Sequence, residues 1–585
     1  MTNIVVRRDS QTLEASKTQN STLITTPLAM TSDNNHENMK RWTKNPEARI
    51  FCINTLSALY ALILTMIAFV IEISPTWRSQ EMWLEYSIFG VLMYLFAILY
   101  FTYFYLFVIY PNIINSIIYF LHRRGRIASL HRWLLEEPVF NGEGAGTMYL
   151  RIGTLFFGSM GAVLYITEIL LCFFDTQRNG IYVTKYTLAV AFIYMQMHFI
   201  FSNSKVLLKS SNAIAKFGLM HSVAFYFDFF FKFNLYKLEY RCLMRYYDMK
   251  HSKKEMKHAE DGLKNQTATN VLAQWSYNLT TNSFGAHDKQ LRTIVKMGSS
   301  ANLLLTCLVE FSLIAAVICF IIWKNDHPNP GNSEKKPKKQ SVRFDCNGTS
   351  VGLFTAIFIH IISVVVIGLH GIYMKDHNEK VADQLIGYTD VLMFVILLFA
   401  CLLALFQMRK LQYTSHVHGE VIDDILLIVG LAGECVYSCA AIDLYVNEKL
   451  MDRPVPYITM IAFSLRITEV IVQTLFILIA ARMRSSPLSN KQPGKQVITF
   501  LLICNINLFI YHTFETTESS FGFPAKVSEV YTVMLTIASP IVVFYRFHSS
   551  ACLAEIWKNT YLRNGHDANV GPADSNEKLM MIDKL

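Results

Sequence analysis

The sequence predicts an all-α polytopic membrane protein, with twelve transmembrane helices arranged as two six-helix pseudo-repeated halves. Three observations predict it. First, 52% of the residues are hydrophobic and only 17% are charged, against roughly 25% charged in an ordinary soluble domain; lipid is the expected solvent. Second, twelve apolar runs reach the length of about 20 residues that a helix needs to cross a hydrocarbon core of roughly 30 Å. Third, these runs are continuous, whereas the strands of a membrane barrel alternate with period two over about ten residues.

In chain order, residues 1–45 are polar and read as a disordered cytoplasmic tail. They lack the short apolar core and small-residue cleavage site of a signal peptide, so the first apolar helix is expected to direct insertion. The N-terminal half, 46–325, holds apolar segments at 50–73, 86–110, 147–174, 185–208, 215–236 and 298–323. A cytoplasmic linker follows at 326–345, DHPNPGNSEKKPKKQSVRFD, where Pro, Gly, Ser and a lysine run divide the segments six and six. The C-terminal half, 346–560, holds segments at 350–374, 385–408, 422–446, 455–480, 495–515 and 526–548, and 561–585 reads as a second cytoplasmic tail.

The net charge of +9 would suit a nucleic-acid partner in a soluble chain. Here it marks cytoplasmic loops, where Lys and Arg accumulate, and no nucleic acid is expected. With both termini inside, the inner segments hold Arg7, Arg8, Lys40 and Arg41, then Arg123, Arg124, Arg126 and Arg132, then Lys335, Lys336, Lys338 and Lys339, then Arg482 and Arg484. The loop at 237–297 is basic yet would be external, and loops near 60 residues obey the charge rule poorly. It carries two glycosylation acceptors, Asn265-Gln-Thr and Asn278-Leu-Thr, which fit an external position. The eleven cysteines are scattered through apolar segments as small hydrophobes and form no disulfide or zinc framework.

Internal similarity supports two halves. Segment four carries Gln196-Met-His-Phe-Ile and segment ten Gln473-Thr-Leu-Phe-Ile; segments six and twelve close with Ile322-Trp-Lys-Asn and Ile556-Trp-Lys-Asn. Because the offset is an even number of helices, the repeats would be parallel, related by an axis along the membrane normal.

Seven blocks occur in order between about residues 50 and 560. They are Phe217-Gly-Leu-Met-His221, Val309-Glu310-Phe-Ser-Leu-Ile-Ala, Gly352-Leu-Phe, Ile422-Asp423-Asp424-Ile-Leu-Leu, Gln473-Thr-Leu-Phe-Ile-Leu, Ile498-Thr-Phe-Leu-Leu-Ile-Cys-Asn505 with Thr513-Phe-Glu515, and Phe544-Tyr-Arg-Phe-His548-Ser-Ser-Ala-Cys-Leu-Ala-Glu-Ile-Trp. In these blocks the chain resembles the otopetrins, a family of proton channels. The resemblance implies a homodimer of twelve-helix subunits in the plasma membrane, each made of two barrel-like six-helix halves, conducting protons and opening to external acid. It also implies membrane lipid, sterol included, as a partner, and inhibition by zinc. Two features depart from the family pattern. Many members place a histidine shortly before a proline in the last helix, where 530–545 has Pro540 and no histidine, and the fifth segment is unusually aromatic.

Polar residues at bilayer depth cost a few kcal/mol on insertion scales and generally face the bundle interior or a water-filled cavity, so each is a candidate for the proton pathway or its gate. Gln196 and Gln473 sit at matching places in the two halves; alternatively, each only ties helices together. Asp228 lies two turns after His221 on one helix face, a spacing that suits a relay or a structural carboxylate. Glu310 is the only acid in LLLTCLVEFSLIAAV. Of Asp423 and Asp424, one is expected to cap the ninth segment and the other to point inward. Asn505 and His512 share a face with Glu515 nearby, and His512 is a candidate acid sensor. Arg466 and Glu469, three apart, are expected to pair and neutralise each other, while Arg546 and His548 are expected at the inner interface. His251, Glu255 and His258 have the helical spacing of a weak zinc site, though a solvated charged helix explains them more simply.

These residues suit passive conduction, in which protons hop along carboxylates, amides, imidazoles and trapped water. No Gly-rich filter loop for a larger ion is present. Acid would open the path by protonating Glu310, His512 or loop histidines. The alternative is a proton-coupled secondary transporter, which also uses parallel halves and midplane acids. The sequence holds no GxSxG, HExxH, GxGxxG or P-loop motif, so neither an enzyme nor a cofactor is expected.

Overall fold

In lipid, each backbone N–H and C=O must be satisfied within its own segment, and long apolar runs therefore become helices. The computed structural model describes residues 46–74, 82–126, 129–135, 148–174, 180–203, 206, 208–209, 212–257, 299–324, 326–327, 349–376, 378–413, 420–450, 457–485, 492–517 and 529–561. Among them, the α-helices are α1 (Pro46–Ile73), α2 (Trp83–Phe104), α3 (Pro111–Arg123), α4 (Met148–Phe174), α5 (Gly180–Asn203), α6 (Ala213–Lys257), α7 (Ser299–Lys324), α8 (Ser350–Lys375), α9 (Glu379–Met408), α10 (Glu420–Leu450), α11 (Tyr457–Ala480), α12 (Lys495–Thr517) and α13 (Glu529–Thr560). Four two-residue strands pair as β1 (Leu208–Lys209) with β2 (Asp326–His327), parallel, and β3 (Gln412–Tyr413) with β4 (Met483–Arg484), antiparallel.

Eleven of the described helices are long and apolar enough to cross a membrane. The twelfth long helix, α5, is diluted by Lys185, Gln196, His198 and three tyrosines. Beyond α13 running to Thr560 rather than 548 and α9 starting at Glu379 rather than 385, three further differences from the expected segments stand out. The fourth segment starts and ends about one turn earlier, at 180–203 rather than 185–208. The fifth does not stop at 236 but continues to Lys257, because KLEYRCLMRYYDMKHSKKEMK, although charged, is rich in Leu, Met, Lys, Arg and Glu, all good helix formers. Apolarity marks where a span ends, not where a helix ends. The third difference is α3, a short helix inside the expected inner loop. It follows a π-helical turn at Tyr105–Ile109, closed by Tyr110 N–H donating to Tyr105 O at 2.8 Å, and starts on Pro111, whose missing N–H costs nothing at a first helical position.

Within the unit beginning at Ile53, α6 packs on α7, α4 on α5 and α7, and α2 on α5 and α6. From residue 350 onward, α10 packs on α13 and α11, α9 on α11, and α12 on α13 and α8. Thinner contacts join the sets, from α13 to α4, α6 and α7 and from α12 to α7. Burial follows this packing: 83% of the most apolar stretch is buried in α7 and in α13, against 22% in α8, which lies at the surface of the bundle. Close approach depends on glycine at Gly161, where a Cβ would strike Leu308, and at Gly218, where it would strike the Tyr100 ring. The aromatic fifth segment has a packing role: Phe225 meets Phe192 and Phe229 at 4.8 Å between centroids and Tyr94 at 5.0 Å, all edge-on.

The matching helix ends have matching surroundings. Lys216, at the start of α6, donates to Trp323 O at 2.6 Å and lies 5.4 Å from the ring centroid, while Trp323 donates to Ser57 Oγ at 3.1 Å. Lys495, at the start of α12, lies 5.0 Å from the Trp557 ring centroid.

Candidate functional site

Helical spacing aligns Arg466, Glu469 and Gln473 on one face of α11, at i, i+3 and i+7, and Asn505, His512 and Glu515 on one face of α12. Opposite stand Glu434 and Tyr437 of α10 and Tyr545 and Arg546 of α13. All ten side chains are buried. The expected Arg466–Glu469 pair does not form. Arg466 instead donates from Nε to Glu434 Oε2 at 2.8 Å and from Nη1 to both Glu515 oxygens at 3.2 Å, with Nη2 3.2 Å from His512 Nδ1. Glu469 takes Arg546: Nη1 donates to Oε1 at 3.1 Å, and Nη2 lies 2.8 Å from Oε2 without hydrogen-bond alignment. Arg546 Nε also lies 3.2 Å from Glu434 Oε1, in a similarly bent contact. Neighbouring helices offered each cation a better-placed partner than its own turn did.

Arg546 and His548 are therefore not interfacial as expected, but buried. His548 Nε2 donates to Asp423 O at 2.9 Å and lies 4.0 Å from Asp423 Oδ1, so Asp423 is the inward member of its pair; Asp424 meets Arg482 at 3.5 Å. His512 sits 3.9 Å from Glu434 Oε1 and 3.8 Å from Glu515 Oε2, and Tyr437 donates to Glu515 at 3.2 Å. Asp390 of α9 interacts electrostatically with Glu515 and Arg466. One turn along, Gln473 and Asn505 exchange two amide hydrogen bonds, at 2.9 and 2.8 Å, and Gln473 Nε2 reaches Tyr545 OH at 3.4 Å.

A second buried group joins α1, α2 and α6. Glu72 receives Tyr86 OH at 3.0 Å on both oxygens and faces Lys232 Nζ at 3.4 Å. Asp228 interacts electrostatically with Glu72, Lys232 and Lys185, and its Oδ1 has no hydrogen-bond partner among the described residues. His221, two turns earlier, instead pairs its Nδ1 with Tyr60 OH at 2.8 Å, so the two do not act as a direct couple. Glu310 of α7 is buried with both oxygens lacking a hydrogen-bond partner among the described residues, and Lys237 of α6 is its electrostatic neighbour. Gln196 Nε2 donates weakly to Cys319 Sγ at 3.4 Å, a different environment from that of Gln473.

Glu434, Glu72 and Lys232 were missed in the sequence, although Glu434 in IVGLAGECVYSCAA carries the same signal as Glu310, one acid in an apolar run. Of the weak metal candidates, the side chains of His251 and Glu255 and all of His258 lie outside the described residues, as do Asn265 and Asn278. Among the described residues, no group of three or more His, Cys, Asp or Glu could hold a metal ion.

The chemistry of the larger cluster follows from its charges. Arginine stays protonated, so Arg466 and Arg546 give +2 against three carboxylates, Glu434, Glu469 and Glu515. With His512 neutral, these five groups carry −1, and Asp390, which interacts with Glu515 and Arg466, adds a fourth carboxylate, so the carboxylates outnumber the arginines and the cluster favours taking up protons. Carboxylate and imidazole are groups that can exchange protons with one another.

The family described as Otopetrin matches residues 149–547. The chain is also 25% identical over 448 residues to a Drosophila melanogaster protein named proton channel OtopLc. That alignment covers 71% of this chain and 28% of the relative, so the chain spans less than a third of the relative's length.

Proposed function

Since the chain belongs to the otopetrin family, we propose that it is a proton-selective channel carrying H⁺ passively across the plasma membrane. One observation carries the proposal: a buried cluster whose carboxylates, Glu434, Glu469, Glu515 and the neighbouring Asp390, outnumber its two arginines, with His512 within 4 Å of two of them. A proton entering the cluster offsets part of that excess negative charge, and it leaves along acceptors already in contact. Gln473, Asn505 and Tyr545 extend the polar track by one turn.

The proposed architecture is twelve spanning helices in two six-helix halves, 46–325 and 346–560, with both termini, the linker 326–345 and the tails in the cytoplasm. The matching Lys–Trp ends at Trp323 and Trp557 support the repeat. In the N-terminal half, Glu72, Asp228, Lys232 and Glu310 form a second, sparser set of proton-binding groups. External acid opens the channel by protonating such groups and shifting a closed-to-open equilibrium. The subunit is proposed to work as a homodimer.

The test is purified full-length protein in sealed vesicles with an internal pH dye and an imposed potassium diffusion potential. Internal pH is expected to move until proton and electrical gradients balance, with no added solute. If it moves only when a co-transported solute is supplied, the protein is a transporter and the channel proposal fails.

A further inference from the structure

The short helix α3 has three faces. Pro111, Asn115 and Ile118 are buried, and Asn115 binds the chain behind it by donating to Leu135 O at 3.0 Å and accepting from Leu135 N at 2.9 Å. The residues Asn112, Ser116 and Arg123 form an exposed polar stripe. Between them, Ile113, Ile117 and Phe120, at i, i+4 and i+7, are 51 to 52% exposed, and Trp133 beside the helix is 59% exposed. The helix starts two residues after the span Leu84–Ile109 ends. The segment 105–135 contains Arg123, Arg124, Arg126 and Arg132 and no Asp or Glu, the next acids being Glu136 and Glu137. All four arginines are exposed, with the Arg124 guanidinium 4.3 Å above the Phe120 ring.

We propose that α3 lies on the membrane surface and binds anionic phospholipid headgroups, its Ile113–Ile117–Phe120 stripe set among the acyl chains and its arginines on the phosphates. An apolar stripe bordered by cations and placed directly at the end of a spanning helix is the composition that lies in the interface plane. A second copy of the chain does not fit this face. A two-fold interface sets a patch against itself, and the four arginines of one copy would meet the four arginines of the other. Juxtamembrane basic residues mark the cytoplasmic leaflet, where anionic lipid is concentrated. Each arginine adds about fivefold to the preference for a charged over a neutral headgroup at low salt. The proposal does not depend on proton conduction.

The experiment uses full-length protein in nanodiscs of equimolar phosphatidylserine and phosphatidylcholine, washed in detergent, with the lipid retained per subunit counted by mass spectrometry. Wild type is expected to retain phosphatidylserine over phosphatidylcholine by tenfold or more, and to lose that preference in about 1 M salt, where screening reaches about 3 Å. Arg123→Gln/Arg124→Gln/Arg126→Gln/Arg132→Gln is expected to lower the preference to within about twofold of parity, and Arg409→Gln/Lys410→Gln, at an exposed helix end elsewhere, to retain it. An unchanged preference in the fourfold variant overturns the proposal, as does insensitivity to salt in the wild type. So does equal competition by soluble glycerophosphoserine, which would make this a free-phosphate site, or an inter-subunit disulfide in Ile117→Cys, which would place a second copy on the stripe.

Discussion

Glu434 is the joint of the buried charge cluster, since it alone contacts both arginines, at 2.8 Å to Arg466 and 3.2 Å to Arg546. Glu434→Gln preserves its volume but removes one carboxylate, leaving Glu469, Glu515 and Asp390 beside the two arginines, so the excess of negative charge that draws a proton falls by one. A proton on His512 then loses the attraction of an anion 3.9 Å away, which is about 4 kcal/mol at an effective dielectric near 20. At about 1.4 kcal/mol per factor of ten, proton occupancy falls on the order of a thousandfold. The fold is expected to survive at a cost of about 1.5 to 3 kcal/mol for the weakened charge-assisted bond. The assay is dye-reported acidification of sealed vesicles, normalised to protein that elutes as a single peak. Flux should fall to the vesicle leak in Glu434→Gln while Glu434→Asp keeps a measurable rate. Wild-type flux in Glu434→Gln, with the protein folded, would refute the idea that excess negative charge draws the proton in.

Other perturbations follow from the same contacts. Arg546→Met removes the partner of Glu469 and should cost about 3 to 5 kcal/mol, read as a lowered melting temperature by size-exclusion chromatography after heating; Arg546→Met/Glu469→Met should recover most of it. Gln473→Leu strands the Asn505 amide and should destabilise by about 1 to 3 kcal/mol, with Gln473→Leu/Asn505→Leu less harmful than the single change in the same heating assay. Gly352→Ala drives a Cβ into the carbonyl of Gln496, and since backbone yields poorly, a loss of about 1 to 3 kcal/mol is expected; an unchanged melting temperature would mean that α8 and α12 separate easily. Lys232→Met removes a cation that faces buried Glu72 and should lower the yield of monodisperse protein, whereas Lys232→Arg should restore it.

Much of the fold was legible because lipid imposes a simple rule: about 20 apolar residues make a span. The expected segments fall on the long helices, and the parts missed were those the rule does not cover. The extension of α6 beyond 236 is helical but not apolar, and α3 is amphipathic and too short to span. The site was legible in part. Arg466, Glu469, Gln473, Asn505, His512 and Glu515 stood out because a polar residue in an apolar run is expensive, and their spacing gave the faces they occupy.

Composition and the length of apolar runs determined that this chain is a bundle of membrane-spanning helices, and local spacing determined which polar groups share a helix face. Only tertiary packing decided their partners. A pair three residues apart such as Arg466 and Glu469 looks self-sufficient in one dimension, yet each side chain lies closer to charges on α10, α12 and α13. Inside a bundle, a buried charge is stabilised by whichever opposite charge meets it with the least loss of geometry, and that choice depends on how helices distant in sequence are set against one another.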